Sequence, residues 1–186
     1  MTQVATQALR VRPLAQEMLL IGGLAGLTTL ASKLALVLPW SPVPATMQVA
    51  AVLFAGAAFG ARRGALSQLL YLSMGLCGLP VFAGFSALGP ASVLTPSFGY
   101  LLAFPLAAFL AGHWSSRRGL WLGSLAGLGS IYMIGGLWLA AWALATGLPV
   151  SGAWLLWAGV LVFLPLDLAK VALVVLSARP LRRGVG

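Results

Sequence analysis

Charge in this chain is confined almost wholly to short breaks between apolar runs, and the breaks alternate in kind. Arginines fall at Arg10 and Arg12, at Arg62 and Arg63, at Arg117 and Arg118, and at Arg179, Arg182 and Arg183. Between successive clusters lies one break without charge, at residues 39–45, 80–97 and 146–152. Basic cytoplasmic loops alternating with neutral external loops give this pattern in a membrane protein. The runs between breaks are continuously apolar, as buried or lipid-facing helices are, rather than alternating as strands are. In a bilayer every backbone polar group must be satisfied internally, which strengthens the choice of helix.

Three excursions out and back give six transmembrane helices, with N and C termini cytoplasmic. The runs place them near 18–38, 45–61, 64–79, 98–113, 119–145 and 153–178. A span needs about 17–25 residues, so the second to fourth are short and draw on their loops. The expected class is an all-α integral membrane protein made of one membrane domain over 1–186. Residues 1–13 form a cytoplasmic N-terminal segment, 14–178 the six-helix core and 179–186 a basic cytoplasmic tail. Trp40 and Trp154 fall at expected outer ends, Trp114 and Trp121 at inner ends, where interfacial anchors belong.

Composition removes the soluble alternatives. Charged residues are 7% of the chain against 61% hydrophobic, with a mean hydropathy of +1.02. A soluble domain carries about 25% charged residues. The net charge of +9 is accounted for by loop arginines, so nucleic acid is not an expected partner. Cys77 is the sole cysteine, which excludes an internal disulfide and offers no metal cluster. No metal site and no cofactor are expected. Neither a Ser/His nor a Cys/His constellation is apparent, so an enzyme is not expected. The first apolar run is about 20 residues, too long for the core of a cleaved signal peptide, so it is retained as the first span.

Arg-Arg-Gly recurs at 62–64, 117–119 and 182–184 with unrelated flanks. The triplet reads as a shared loop solution, arginine at the headgroups and glycine for the turn, rather than as an internal repeat.

Two ionisable residues break the last run. Asp167 is the only acid after Glu17, and Lys170 follows three residues later. A charge at mid-bilayer costs about 2.5–3.5 kcal/mol, so such residues are rare and usually functional. Pro165 favours the first turn of a helix, which predicts a break in the run there. Residues 153–164 would form a short re-entrant or interfacial helix and Pro165 would open the sixth span. Asp167 then lies in the first turn, where the helix dipole favours an anion, and Lys170 one turn deeper on the same face. The uncharged break at 80–97 is long and carries Phe82, Phe85 and Leu88. Such a loop is expected to fold back over the helices as a lid rather than lie in water.

Several stretches carry a family resemblance. They are Pro42-Val43-Pro44-Ala45-Thr46-Met47-Gln48, Gly60-Ala61-Arg62-Arg63-Gly64-Ala65-Leu66, Tyr71-Leu72 and Gly78-Leu79-Pro80-Val81-Phe82-Ala83-Gly84. Thr95-Pro96-Ser97-Phe98-Gly99-Tyr100-Leu101 and Pro165-Leu166-Asp167-Leu168-Ala169-Lys170 complete the set. In this order, over about residues 18–180, the chain resembles the BioY family, the biotin-binding S components of energy-coupling factor (ECF) transporters.

The resemblance implies an S-component-like fold and high-affinity biotin capture and uptake across the bacterial cytoplasmic (inner) membrane. It implies a pocket near the outer surface, closed by the loops after the first and third spans. Asp167 and Lys170 match the family's ligand-contacting pair; Gln48, Tyr100 and the loop containing Phe82, Gly84 and Ser86 match other pocket positions. Implied partners are biotin, membrane lipid, a membrane-embedded T subunit and two ATP-binding-cassette ATPases, with a homo-oligomer left open. The chain has no GxxxxGK[ST] phosphate loop, so ATP hydrolysis would fall to the partners. Phe85, Ala87 and Phe98 stand where family members often carry glycine, so the lid is expected to pack differently. A stand-alone, ion-coupled carrier of biotin or another small vitamin is the alternative, with Asp167 as the proton-coupling group.

Biotin suits the residues. Asp167 can accept from its two ureido N–H groups, and Gln48 offers both donor and acceptor. Lys170 can donate to the ureido oxygen or neutralise the carboxylate, and both roles stand open. Gly22 and Gly26 form a small-xxx-small pair in the first span that admits a close helix. By resemblance this is a T-subunit surface; Ala31 and Ala35 compete with it, and internal packing explains either. Lys33 is expected to snorkel outward, with a second positive charge for the pocket as the alternative.

Overall fold

The computed structural model describes residues 14–84, 89–148 and 150–183. Among them the chain forms α1 (Leu14–Lys33), α2 (Gln48–Phe59), α3 (Ala61–Leu76), α4 (Phe98–Arg118), α5 (Leu120–Ala145), α6 (Gly152–Leu156) and α7 (Leu164–Arg183). It is not wholly helical. Two-residue strands β1 (Ala35–Leu36) and β2 (Ala45–Thr46) pair antiparallel, Ala35 opposite Thr46, in the loop between α1 and α2. The prolines at 39, 42 and 44 deny that loop a helix, and the short ladder satisfies backbone groups that would otherwise be orphaned.

Among the described residues four segments are long and apolar enough to cross a membrane: α1, α4, α5 and the run Gly152–Arg182 that contains α6 and most of α7. With 12 and 16 residues, α2 and α3 are shorter than a full span. α2 is nonetheless deeply enclosed, burying Ala50 through Ala57 except Phe54. It packs on α1, α3, α4, α5 and α7, so protein rather than lipid is its solvent.

The helices alternate in direction between two ends. One end gathers the arginines. There α2 and α3 are joined by Gly60 alone, at φ +95°, and α4 and α5 by Gly119 alone, at φ +101°. This corrects the reading of the Arg-Arg-Gly triplet. At 117–119 the glycine is indeed the turn, but Arg62, Arg63 and Gly64 all lie inside α3. Gly64 is needed for another reason. A Cβ there would sit 2.7 Å from the Cα of Gly56, so its hydrogen lets α2 and α3 touch main chain to main chain. At the same end Arg63 grips Glu17 with two bonds, Nε to Oε2 at 2.8 Å and Nη2 to Oε1 at 2.6 Å. Arg182 Nε donates to the carbonyl of Ala57, 2.6 Å away, closing the end of α2. Arg10 and Arg12 lie outside the described residues.

α1 stands on the outside. Leu19 and Leu30 are exposed, and a Cβ added at Gly22 or Gly26 would meet nothing within 4 Å. Internal packing therefore does not explain this small-residue pair. Trp40, Trp114 and Trp121 are exposed, as anchors are, whereas Trp154 is half-buried against the core.

Candidate functional site

The other end holds the loops and a cavity of about 400 Å³. Asp167, Lys170, Gln48, Tyr100, Phe82 and Gly84 all line it. Ser86, the remaining expected position, lies outside the described residues, as do Phe85 and Leu88 of the expected lid.

The polar end of the cavity is built where α7 begins. After the five-residue α6, capped by Ser151 Oγ accepting from Trp154 N at 3.1 Å, the chain makes a π-helical turn at Trp157–Leu161. The break expected before Pro165 is present, and α7 starts at Leu164 with Asp167 in its first turn. Asp167 N donates to Phe163 O at 2.9 Å, and the carboxylate and ammonium turn to one face. Lys170 Nζ lies 2.5 Å from Asp167 Oδ1. Only 3% of Asp167 and 9% of Lys170 are exposed, so the pair is withdrawn from water and each charge depends on the other.

Neighbouring elements complete the pair's bonding. Tyr132 of α5 donates to Asp167 Oδ2 at 2.8 Å. Lys170 Nζ donates to the carbonyl of Thr46 in β2 at 2.7 Å. From there the bonding runs on without a gap. Thr46 Oγ1 donates to Gln48 Oε1 at 3.0 Å, Gln48 Nε2 to the Tyr71 hydroxyl at 2.5 Å, and that hydroxyl to Val81 O at 3.1 Å. One chain of polar contacts thus links α5, α7, β2, α2, α3 and the segment after α3. Tyr132, Thr46 and Tyr71 hold the site without having been singled out for it. Tyr132 had no local signal, because its partner lies 35 residues away. Tyr71, fully buried, was open to inference because a buried tyrosine hydroxyl has to find a partner.

The walls are aromatic. The Phe82 ring meets Tyr71 edge-on at 5.4 Å, and Tyr71 stacks on Phe104 at 6.3 Å. Tyr100 spends its hydroxyl on Gly159 O at 2.9 Å, so it walls the cavity and fastens the π-turn. Residues 80–84 fold inward as a lid would. Val81 and Phe82 are buried, Ser32 Oγ donates to Val81 O at 2.8 Å, and Lys33 Nζ donates to Pro80 O at 2.7 Å and Phe82 O at 3.1 Å. Lys33 therefore does not reach outward as expected; its ammonium clamps the lid's main chain. Beyond the lid, the 3₁₀ turn Gly89–Leu94 is held to α5 by Trp142 Nε1 on Leu94 O, with Trp138 Nε1 on Thr95 O just after it. Phe98 packs on Trp138 at 5.4 Å.

Such a site can accept N–H groups at Asp167 and donate from Lys170 and Gln48. It can also enclose an apolar ring. Comparison with known proteins bears on the family and the fold. Residues 1–186 match the profile of the BioY family. The chain is 39% identical over 168 residues to the "Probable biotin transporter BioY" of Pyrococcus horikoshii, covering 90% of this chain and 97% of the relative. It is 41% identical over 103 residues to the "Biotin transporter BioY" of Thermotoga maritima, covering 53% and 60%. Among solved structures it resembles the "S-component for biotin from an ECF-type ABC transporter", with a TM-score of 0.77 and 27% identity. That match covers 91% of this chain and 92% of the other.

Proposed function

Because the chain belongs to the BioY family, we propose that its cavity is the biotin site and that its task is biotin uptake as the substrate-specific S component of an ECF transporter. It is a transport protein, not an enzyme. The observation that carries the reading is that six positions matching family pocket motifs, far apart in sequence, line one cavity with the buried Asp167–Lys170 pair at its polar end.

Biotin enters ring first. Asp167 accepts from the ureido N–H groups while Tyr132 and Lys170 hold its two oxygens in place. Lys170 keeps one of three N–H groups after Asp167 and Thr46 are served, and this one meets the ureido oxygen. Gln48 has one amide N–H left beside it. The rings of Phe82 and Tyr100 and the open backbone at Gly84 enclose the thiophane ring; Ser86, the remaining expected contact, lies outside the described residues. No cofactor or metal takes part.

In the membrane we place six segments, with α2 and α3 completing the hairpin that their length alone leaves short. The arginine end faces the cytoplasm, so both termini are cytoplasmic and the cavity opens outward. The membrane is the bacterial inner membrane, and the whole of 1–186 is one membrane domain. A T subunit and two ATP-binding-cassette ATPases supply the energy, and Gly22 and Gly26 on the open face of α1 offer the T subunit a close approach.

Thermal unfolding in detergent with biotin, riboflavin, thiamine and pantothenate tests the function. At about 100 times its dissociation constant a ligand adds roughly 2.7 kcal/mol of stability. The expected outcome is a shift with biotin alone, lost in Asp167→Asn and in Lys170→Ala. No shift with biotin sinks the function; a shift that survives both substitutions sinks the site.

A further inference from the structure

We propose that the cavity reads only the neutral, hydrogen-bonding ring of its ligand and leaves the tail's charge unread, so that biotin derivatives with an uncharged tail, primary and substituted amides of the carboxylate, are ligands too. The inference rests on the biotin reading above and concerns which chemical class that site admits.

Charge is the first argument. Asp167 and Lys170 are the only Asp, Glu, Lys or Arg among the cavity's described lining residues, and they neutralise each other at 2.5 Å. Nor does the sequence hold another in reserve nearby. Residues 34–61, 64–116 and 119–166 contain no Asp, Glu, Lys or Arg, which covers every loop at the cavity end. Lys33, the nearest remaining cation in sequence, is not part of the lining and holds the carbonyls of Pro80 and Phe82. A ligand carboxylate carried into this cavity finds no counter-charge except one already taken by Asp167.

The second argument is a census of donors. Away from the Asp167 end, the hydroxyls of the described residues that line the cavity give their protons to the protein itself. Ser41 donates to Ala158 O, Ser92 to Gly89 O, Thr95 to Ser92 O and Tyr100 to Gly159 O. Ser97 has Thr95 Oγ1 at 3.4 Å, and since Thr95 has already spent its proton, Ser97 is the donor. The uncommitted side-chain N–H groups of the lining belong to Lys170 and Gln48, and both sit at the Asp167 end. Among the described residues, a carboxylate buried at the opposite end meets no cation and no uncommitted side-chain donor, which is strongly unfavourable. Its favourable place is in water at the mouth, beside the exposed lining residues Val37, Pro42 and Gly84. A group left in water contributes little through its charge, so removing the charge costs little.

Calorimetric titration of the full chain in detergent with biotin and with its near-isosteric primary amide tests this. A recognised carboxylate loses a charge-assisted hydrogen bond on amidation, a penalty of about tenfold or more. The expected result is an amide dissociation constant within about fivefold of biotin's, well below that penalty, and the same ratio in Lys33→Met. An amide weaker than that overturns the inference, as does a Lys33→Met variant that loses affinity for biotin but not for the amide. These outcomes are separate from failure of the function, in which biotin itself gives no binding heat.

Discussion

Glycine does different work at the two ends of this bundle. At the arginine end it makes room for main chain. A Cβ on Gly56 would overlap the carbonyl of Ala108 and lie 3.0 Å from its Cα, and one on Gly112 would strike the backbone of Ala61. At the cavity end it makes room for rings: Gly75 faces Phe82 and Gly135 faces Tyr100. Two helix backbones in contact leave no void and cannot yield, whereas a ring can turn. The same residue therefore builds a rigid weld at one end and an adjustable wall at the other. The glycines of α1 belong to neither group, since nothing lies within 4 Å of where their Cβ atoms would be.

Three substitutions separate these classes. The largest effect is expected for Gly56→Ala, where a single methyl group must part α2 from α4. We predict a loss of at least about 4 kcal/mol, seen as failure to yield monodisperse protein or as a steep drop in unfolding temperature. Near-normal stability would show that the weld can breathe. Gly75→Ala comes next. It should displace the Phe82 ring at a cost of about 1–3 kcal/mol and weaken biotin binding more than it weakens the fold. Titration alongside thermal unfolding checks both, and unchanged binding would mean that Phe82 does not shape the site. The smallest effect belongs to Gly26→Leu, expected within about 0.5 kcal/mol of the parent chain as a surface change, with biotin affinity intact. Co-purification with the T subunit is where this variant should fail. A large intrinsic destabilisation would instead place the α1 face inside the fold.

How much of this was legible in the sequence depended on whether a residue's reason was local. Asp167 and Lys170 stood out because ionisable groups are expensive in an apolar run. Pro165 placed them, because proline's missing N–H and fixed φ are compatible with a helix only near its start. Gly64 was misread because a glycine beside arginines looks like a turn, while its actual reason, the Cα of Gly56, is a tertiary one. Lys33 went astray for the same cause: its carbonyl partners lie 47 and 49 residues onward. The β1–β2 ladder is two residues long, below anything periodicity can register. Tyr132 was invisible as a site residue, since a tyrosine in an apolar helix carries no mark of what its hydroxyl meets.

α1 is bonded to its neighbours at both extremities and once between, where Gln68 Nε2 donates to Thr28 Oγ1 at 3.1 Å. Glu17 is held by Arg63 at one end, while Ser32 and Lys33 hold the main chain of residues 80–82 at the other. A helix pinned only at its middle can roll like a log; one pinned at both ends and between cannot roll without breaking every set of bonds. The open glycine face of α1 thus keeps a fixed bearing around the bundle. A rotation of α1 would have to break its hold on Pro80, Val81 and Phe82, which ties the bearing of that face to the roof of the cavity.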